Sequence, residues 1–386
     1  MRYKLGEICE IVSGSTPKSS VPDYWDGDIT WITPAELDED SYIIYDSVRK
    51  ITELGVRKTG LTAFPAGTVI LSSRAPIGKV AIAGCEMYCN QGFKNLICSE
   101  KINNRYLYWY LKGNKEYLNS LGRGATFKEI SKQIIASIEI NVPDIKEQED
   151  VVRVLEKTSA LMGLRKKELE LLDELIKARF VEMFGNPVLN DRGWDQQSLG
   201  KLTTKIGSGA TPKGGKEAYK EEGITLIRSM NVRNGQFEYK DLAHISEEQA
   251  SKLDNVIVEE NDVLLNITGA SVARSCVVPP KVLPARVNQH VCIVRCNKSI
   301  IPEFLNKLLI DDNYQDLLWG IAGSGATREA ITKQQVENLQ IIMPPIELQK
   351  DFMSFVKQVD KSKVAVQKAL DEAQVLFDSL MQQYFG

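Results

Sequence analysis

The stretch that decides the fold is Ile11–Lys18, which reads IVSGSTPK, because the chain repeats it in its second half. There the stretch Ile206–Lys213 reads IGSGATPK. A second motif, GRGAT at Gly122–Thr126, returns as GSGAT at Gly323–Thr327. A repeated unit that fills about half of the chain indicates a duplicated domain, because the repeats of solenoid proteins are typically only about 20–50 residues long. The sequence therefore predicts two homologous heads in one chain.

The repeat extends beyond these two motifs. The stretch Ile130–Gln133 reads ISKQ and Ile331–Gln334 reads ITKQ, so each GxGAT motif runs on to the same short pattern. A Phe-Gly pair stands at Phe184–Gly185 and again at Phe385–Gly386. Such an internal symmetry suits a ligand that presents two separated sites.

Composition indicates a globular protein. The chain has 386 residues, of which 43% are hydrophobic and 26% are charged, and this length predicts two or three domains. We expect a cytoplasmic protein, since no apolar run reaches the roughly 18 residues of a membrane span and the start lacks the apolar run of a signal peptide. The net charge of −3 argues against a uniformly basic surface but leaves room for a local basic groove.

The cysteines raise the question of a metal site. Cys85 and Cys89 are spaced like Cys292 and Cys296, but the chain has only 2 histidines beside its 7 cysteines. Structural zinc needs four convergent ligands, and these cysteines lie in Val- and Ile-rich segments that are typical of strands. We therefore expect buried, reduced thiols and no metal.

Each half reads as a mixed segment followed by a long helix. Short β-type runs fill the mixed segments, and one helical stretch interrupts each of them, near residues 104–121 and 302–321. Pro143 and Pro344 then mark helix entries, since proline is tolerated at a helix start and not inside. The predicted domains are head 1 at 1–143, a long helix at 144–185, head 2 at 186–343 and a second long helix at 344–386.

Both long helices carry apolar residues at alternating three- and four-residue steps. In the second helix the two stripes are Phe352, Val359, Val366, Ala373 and Leu380, and Val356, Leu370, Phe377 and Tyr384, broken at Lys363. In the first helix the same register holds Val151, Leu155, Met162, Leu169, Leu172, Ile176 and Met183, with polar interruptions at Thr158, Arg165 and Arg179. Heptads sustained over about five repeats predict a coiled coil, about 60 Å long at 1.5 Å per residue.

The two helices can pair with each other or with another chain. Matched length and register favour an antiparallel pair within the chain, which would hold the heads at opposite ends of a rod. The predicted fold class is therefore α+β, with two homologous mixed α/β heads separated by two long antiparallel helices and related by an internal pseudo-two-fold axis.

The motifs of common catalytic sites do not fit this chain. The Gly207-x-Gly209 pattern lacks the third glycine of a dinucleotide fingerprint, and Gly215 stands where a phosphate loop needs lysine. Neither Pro-Pro pair follows the Asn or Asp of a DNA amino-methyltransferase motif, and two histidines do not build a convincing catalytic triad. We therefore predict that the chain is not an enzyme.

What remains is a set of polar loops with basic or amide side chains at repeated positions. Lys18 matches Lys213, Lys79 matches Arg274, and Asn90-Gln91 matches Asn288-Gln289, whereas the halves diverge around Arg228–Arg233. Lys and Arg hold phosphates, while Arg, Asn and Gln pair with guanine and adenine edges. The alternative for each position is a solvated surface or turn residue. The candidate DNA-binding residues are Lys18, Arg74, Lys79, Gln91, Arg123, Lys128, Lys213, Arg228, Asn231, Arg233, Arg274, Gln289 and Arg328.

Taken together, these features resemble the specificity subunit of type I restriction–modification systems. The resemblance rests on the SGxTPK openings, the GxGAT loops, the PxIxxQ helix entries at Pro143 and Pro344 and the two long helices, in an order given twice. It covers essentially the whole chain.

The resemblance implies two target-recognition domains that read the halves of a bipartite, asymmetric DNA site, with the helices fixing the spacer. It implies double-stranded DNA and two modification (methyltransferase) subunits as partners, with restriction subunits in some complexes. S-adenosylmethionine, ATP and Mg would then be bound by those partners and not by this chain. Two other interpretations stay open here: a double-headed, non-catalytic adaptor, and a fused DNA methyltransferase–recognition protein.

Overall fold

The computed structural model describes residues 1–74, 76–124, 128–211, 219–323 and 329–386. Contacts divide the chain into two compact units. Unit 1 consists of Met1–Lys167 with Gln367–Gly386, and unit 2 consists of Glu168–Val366. Each unit thus holds one head and parts of both long helices. The predicted domain boundaries follow chain order whereas these units follow contacts, so the boundaries stay a prediction.

Unit 1 begins with short strands and ends in a long helix. Its strands are β1 (Arg2–Lys4), β2 (Cys9–Ser13), β3 (Trp25–Ile32), β4 (Ile43–Ile44), β5 (Lys50–Ile51), β6 (Val69–Leu71), β7 (Val80–Ala83), β8 (Tyr88–Cys89), β9 (Lys94–Cys98) and β10 (Glu139–Asn141). Its helices are α1 (Leu5–Ile8), α2 (Glu53–Thr59), α3 (Asn104–Gly113), α4 (Lys115–Leu121), α5 (Lys132–Ala136) and the start of α6 (Ile145–Phe184).

Unit 2 repeats this plan with more strands. They are β11 (Gln196–Ser198), β12 (Thr203–Ser208), β13 (Ile224–Ile227), β14 (Val232–Arg233), β15 (Gln236–Phe237), β16 (Ala243–Ile245), β17 (Ile257–Val258), β18 (Val263–Asn266), β19 (Ser275–Val277), β20 (Ala285–Val287), β21 (Val291–Cys296) and β22 (Gln340–Ile342). The helices are α7 (Glu247–Ser251), α8 (Pro302–Leu309), α9 (Asp312–Gly323), α10 (Lys333–Glu337) and the start of α11 (Ile346–Phe385).

Strand order shows the internal repeat directly. The five-stranded sheet of unit 1 has the order β2-β9-β6-β7-β4, and the four-stranded sheet of unit 2 has the order β12-β21-β18-β19. The first four strands therefore follow the same path in both units. A two-stranded sheet also closes each head at its base, β1 with β10 and β11 with β22, so the start of each head pairs with its end. The predicted duplication is confirmed at the level of topology.

The apolar residues of the predicted register are buried or half-buried in both long helices. Both span 40 residues. In unit 2, Phe180 and Phe184 near the end of α6 share a core with Phe352 near the start of α11, with ring centroids 5.5 Å apart in both pairs. In unit 1 the order is reversed, because the end of α11 packs against the core that contains the start of α6. There Phe377 lies 5.6 Å from Trp109 and Phe385 lies 5.2 Å from Tyr106.

A buried glutamine fastens each long helix to its head. Gln148 and Gln349 are both 0% exposed. The Gln148 amide accepts a hydrogen bond from Asn103 N at 2.8 Å and donates to the Lys101 and Pro143 carbonyls at 3.1 and 2.9 Å.

Gln349 repeats the pattern in unit 2. It accepts from Ile301 N at 3.0 Å and donates to Pro344 O at 2.9 Å. The glutamine of the PxIxxQ motif is therefore a bracket between the helix entry and the N-terminus of α3 or α8, where backbone N–H groups lack helical partners.

No helix within the described ranges is long and apolar enough to cross a membrane. The seven cysteines are free thiols. Burial raises the pKa of Cys89, Cys276 and Cys292 to about 12, as expected for thiols inside a sheet. The described residues contain no group of three or more His, Cys, Asp or Glu side chains placed to hold a metal ion.

Candidate nucleic-acid interface

The two repeated polar motifs meet in each unit through the same side-chain contact. In unit 1 the Thr16 hydroxyl of the SGxTPK opening hydrogen-bonds the Gln91 amide oxygen. In unit 2 the Thr211 hydroxyl bonds the Gln289 amide oxygen in the same way. Residues some 75 positions apart in sequence are thus joined at equivalent places. Both glutamines are exposed.

The Asn-Gln pair forms the same tight turn twice. The Asn90 side chain accepts from Gly92 N at 2.8 Å, and the Asn288 side chain accepts from His290 N at 3.0 Å. Asparagine suits this place because its side-chain carbonyl can bond the backbone two residues on and replace a backbone turn bond. The turn therefore fixes the direction in which the following glutamine or histidine side chain leaves the backbone.

Two further segments join this turn. Ser73 N donates to Gly92 O at 2.7 Å, and Ile130 N donates to Ser73 O at 2.8 Å. Unit 2 has the matching bonds from Ile267 N to His290 O at 3.0 Å and from Ile331 N to Ile267 O at 2.8 Å. The end of β6 or β18, the Asn-Gln turn and the residues after the GxGAT motif thus form one backbone-bonded loop cluster, which we call the loop cluster of each unit.

In unit 1 an ion-pair network supports the loop cluster. Glu129 accepts from Arg74 Nε at 2.9 Å and lies 3.3 Å from Nζ of Lys94, whose side chain is buried. Partial burial favours the neutral acid, but the hydrogen bonds from Arg74 and Lys94 outweigh it and hold the pKa of Glu129 below its usual range. Glu129 is therefore an anion at neutral pH that aligns the exposed Arg74 guanidinium.

Unit 2 replaces the Arg74–Glu129 ion pair with two uncharged residues. The bridge from Arg74 to Glu129 has its counterpart in a bridge from Thr268 to Ala330. The Thr268 hydroxyl lies 2.5 Å from His290 Nδ1, and His290 Nε2 lies 3.1 Å from the Gln289 amide nitrogen. The two loop clusters share a backbone but present different chemistry: charges in unit 1, and a hydroxyl–imidazole–amide chain in unit 2.

Two tryptophans hold the opening loop of unit 1. Trp31 Nε1 donates to Ser15 O at 3.1 Å, and Trp25 Nε1 donates to Lys18 O at 3.2 Å. The two rings meet edge to face with centroids 5.2 Å apart, and the Arg49 guanidinium lies 3.7 Å above Trp25. The backbone of Lys18 is thereby fixed while its side chain stays exposed, which is the arrangement a phosphate-holding lysine needs.

The structure places the predicted residues in three groups. Exposed side chains are Lys18, Arg74, Gln91, Arg123, Lys128, Arg233 and Gln289. Half-buried side chains are Lys79, Arg228 and Arg274, and Asn231 is fully buried. Lys213 and Arg328 lie outside the described residues.

In unit 1 the loop cluster brings together Arg74, Gln91, Arg123 and Lys128. Arg123 joins through backbone bonds with Glu129 at 3.0 and 2.9 Å.

Asn231 and Lys79 have partners inside the protein. The Asn231 amide donates to the Glu238 and Lys240 carbonyls at 3.0 and 3.2 Å and accepts from Arg228 N at 3.1 Å. Lys79 Nζ donates to the carbonyls of Pro34, at 3.1 Å, and Leu37. This geometry gives both side chains a structural role in shaping a loop.

Arg274 occupies the position of Lys79, but in unit 2 another side chain bonds the carbonyl of the neighbouring loop. Asn266 N donates to Arg274 O at 2.8 Å, as Ser72 N does to Lys79 O at 2.9 Å, so the two positions are equivalent. In unit 2 the Asn266 side chain, at 2.9 Å, bonds the Ser229 carbonyl instead. The sequence did not reveal this exchange. It also gave no reason to single out Lys94 or Glu129, because each is one charge among many until the fold pairs them.

The comparisons with known proteins concern the chain as a whole. The family model described as the type I restriction modification DNA specificity domain matches residues 1–174 and again 191–373. The type I restriction enzyme MjaIX specificity subunit of Methanocaldococcus jannaschii is 30% identical over 399 residues, covering 98% of this chain and 90% of the relative. The type I restriction enzyme EcoBI specificity subunit of Escherichia coli is 22% identical over 312 residues, covering 73% and 64%.

Solved structures show the same fold. A type I restriction–modification S subunit from M. genitalium superposes with a TM-score of 0.59 at 14% identity over 100% of this chain and 96% of its own. A chain from a study of assembly and conformational transition in the type I R-M system gives a TM-score of 0.64 at 19% identity, covering 100% and 97%.

These matches identify the chain as a member of the type I restriction modification DNA specificity family, and its function is that of a DNA specificity subunit. The predicted family and fold class are confirmed. The thirteen predicted DNA-binding residues remain a prediction, because the matches concern domains and not single side chains.

Proposed function

We propose that this chain reads the two halves of a bipartite, asymmetric DNA site, one half with each unit, within a type I restriction–modification complex. One observation carries this proposal. The same backbone loop cluster occurs in both units, but Arg74 and Glu129 of unit 1 are replaced by Thr268 and Ala330 in unit 2. A shared scaffold with different polar groups is what two readers of different base sequences require, since base edges differ in their donors and acceptors.

We propose further that the chain supplies recognition and no catalysis. The reaction chemistry, with S-adenosylmethionine, ATP and Mg, would reside on the modification and restriction subunits. The described residues offer basic and amide side chains at the loop cluster of unit 1, namely Arg74, Gln91, Arg123 and Lys128, which are groups for holding phosphates and base edges. Such a complex acts on DNA in the cytoplasm.

The long helices offer a surface for the modification subunits. In unit 1, α6 exposes Leu161 and Leu164, and Leu164 is 68% exposed. In unit 2 the same helix exposes Leu171 and Leu175, with Leu171 at 51%. Each pair is spaced by three or four residues and so lies on one helix face. Exposed apolar stripes rimmed by charged residues mark protein–protein contacts, and we assign this stripe to a partner subunit.

A single exposed residue tests the docking surface. Leu164→Glu should abolish co-elution of this chain with its modification subunit in size-exclusion chromatography, because a carboxylate would be buried against an apolar partner. Gly163→Glu is the matched control, since a side chain at Gly163 meets nothing within 4 Å and points to another face. Co-elution of Leu164→Glu equal to that of Gly163→Glu and wild type would remove the Leu161–Leu164 pair from the docking surface.

Methylome sequencing tests the proposed function as a whole. A host expressing this chain with its modification subunits should carry methylated adenines in one two-part motif with a constant gap. A host expressing the chain alone should show none. Methylation by the chain alone would favour a fused methyltransferase–recognition protein. A contiguous motif would contradict bipartite recognition, and the absence of any motif with active partner subunits would favour a non-catalytic adaptor.

A further inference from the structure

One loop begins identically in the two units and then diverges in charge. The backbone N of Asn90 donates to Ile32 O, and that of Asn288 donates to Ile227 O, both at 3.1 Å. A single 3-10 turn follows in each unit, at Pro34–Glu36 and Ser229–Asn231. The side chain that closes each turn, Glu36 or Asn231, accepts a hydrogen bond from the backbone N of the residue just before the turn, so the two loops leave the sheet in the same way.

In unit 2 the loop continues as a β-hairpin. Val232 pairs with Phe237 and Arg233 pairs with Gln236 across a two-residue turn. Gly235 takes a φ of 74°, the left-handed conformation that glycine adopts without strain. Its N donates to Ser275 O at 2.8 Å, which fastens the hairpin tip to β19. The hairpin is therefore a fixed element and not a loose loop.

The two faces of this hairpin differ. Successive strand residues point to opposite faces, so the two cross-strand pairs lie on different sides. Val232 is fully buried and Phe237 is half-buried, whereas Arg233 and Gln236 are both exposed. Arg233 and Gln236 thus stand side by side on the solvent face, and each carries a side chain able to make two hydrogen bonds to one base.

The corresponding loop of unit 1 is acidic and closed on itself. There Asp38 follows the 3-10 turn at the place of Arg233. Its carboxylate accepts from Asp40 N at 3.0 Å and from the Ser41 hydroxyl at 2.8 Å, and the bond from Ser41 helps hold the pKa of Asp38 below its usual range. Glu39 pairs with Lys115 at 2.5 Å. The negative charges of this loop repel phosphates, and its polar groups bond to other groups of the protein.

We propose that the Arg233–Gln236 hairpin determines the base sequence read by unit 2, with Arg233 reading a guanine and Gln236 an adenine in the major groove. The inference rests on the proposed function. A two-stranded ribbon fits the major groove, which is about 12 Å wide. Arginine pairs with O6 and N7 of guanine, and glutamine pairs with N6 and N7 of adenine. The acidic loop of unit 1 has no such role, so the hairpin adds base contacts in unit 2 to those of the loop cluster that both units share.

The test selects DNA from a duplex library with two randomised segments, using the chain assembled with its modification subunits. Arg233→Ala should reduce discrimination at one base position of one half-site by roughly 5- to 150-fold, the range for a lost bidentate pair. Gln236→Ala should relax a neighbouring position in that same half-site. The other half-site should keep its wild-type sequence in both variants.

Two controls separate base reading from charge. Arg233→Lys keeps the positive charge but loses the planar pair of N–H donors of the guanidinium group. It should therefore relax discrimination at the same base position as Arg233→Ala. Lys240→Ala removes an equal charge from an exposed position outside the hairpin and should leave both half-sites unchanged. Wild-type discrimination by Arg233→Lys would reduce Arg233 to a phosphate contact and overturn the proposal, as would an unchanged motif in Arg233→Ala. A wild-type complex that selects no motif would instead overturn the proposed function.

Discussion

Replacing the buried glutamine brackets should loosen the long helices from the heads. Gln349→Leu keeps the side-chain size but deletes two hydrogen bonds, to Ile301 N and Pro344 O, inside a site that is 0% exposed. Each neutral hydrogen bond contributes about 1 kcal/mol, and each stranded backbone group costs about 1–3 kcal/mol. We therefore expect a loss of about 2–6 kcal/mol in the local opening free energy at this bracket.

Hydrogen exchange read by mass spectrometry measures this loss where it occurs. At roughly ten-fold per 1.4 kcal/mol, amides at the start of α8 should exchange at least about 30-fold faster in Gln349→Leu. Gln148→Leu should produce the same effect at the start of α3, because it breaks the equivalent bonds.

Gln358→Leu is the matched control, since Gln358 is exposed on the same helix and its change should stay within about 0.5 kcal/mol. Exchange rates in Gln349→Leu equal to those of wild type would refute the reasoning, because the hydrogen bonds of Gln349 would then contribute nothing to the local opening free energy.

Three other predictions concern charge and thiols. Arg295→Met should destabilise unit 2 by about 3–5 kcal/mol, because the fully buried Asp262 carboxylate, 2.8 Å from Arg295, would lose its ion-pair partner. Urea titrations followed by tryptophan fluorescence measure this loss, and a value below about 1 kcal/mol would contradict the prediction. Glu129→Gln should lower the urea midpoint at pH 7, and this difference should shrink as pH falls below about 4, since a depressed pKa gives stability that is present at high pH and lost on protonation; a difference independent of pH would contradict the ion-pair network. Iodoacetamide at pH 8 should label the half-exposed Cys85 well before Cys89, whose burial raises its pKa to about 12, and mass spectrometry showing equal rates would exclude that burial.

The repeat is visible in the sequence alone, because a duplicated domain repeats its turn residues, prolines and apolar spacing. Turn residues, the prolines at the helix entries and the heptad spacing are local properties of the chain, so the long helices and the two heads were predictable. Even the glutamine of the PxIxxQ motif was visible as a repeated letter. Its role as a bracket was not, because its partner Ile301 lies 48 positions away in sequence.

The candidate site divides in the same way. Gln91 and Gln289 were found from the sequence because they repeat beside an asparagine, and the fold places them at equivalent contacts with Thr16 and Thr211. Asn231 was chosen for its amide, but burial gives that amide to the backbone of its own loop. Exposure depends on what packs against a residue, and this cannot be read from its type alone.

The sequence by itself determined that this chain is duplicated and has two long helices, since helix period, turn residues and motif order are local properties of the chain. Its DNA specificity was implied there only by the resemblance to a family. Only the tertiary structure decided which charges meet and which side chains face solvent. Lys94, Glu129 and Arg74 become a network, and Arg233 and Gln236 become one exposed pair, through strand pairing and turns. The physical reason is that pairing and burial depend on distances in space between residues that the chain order separates.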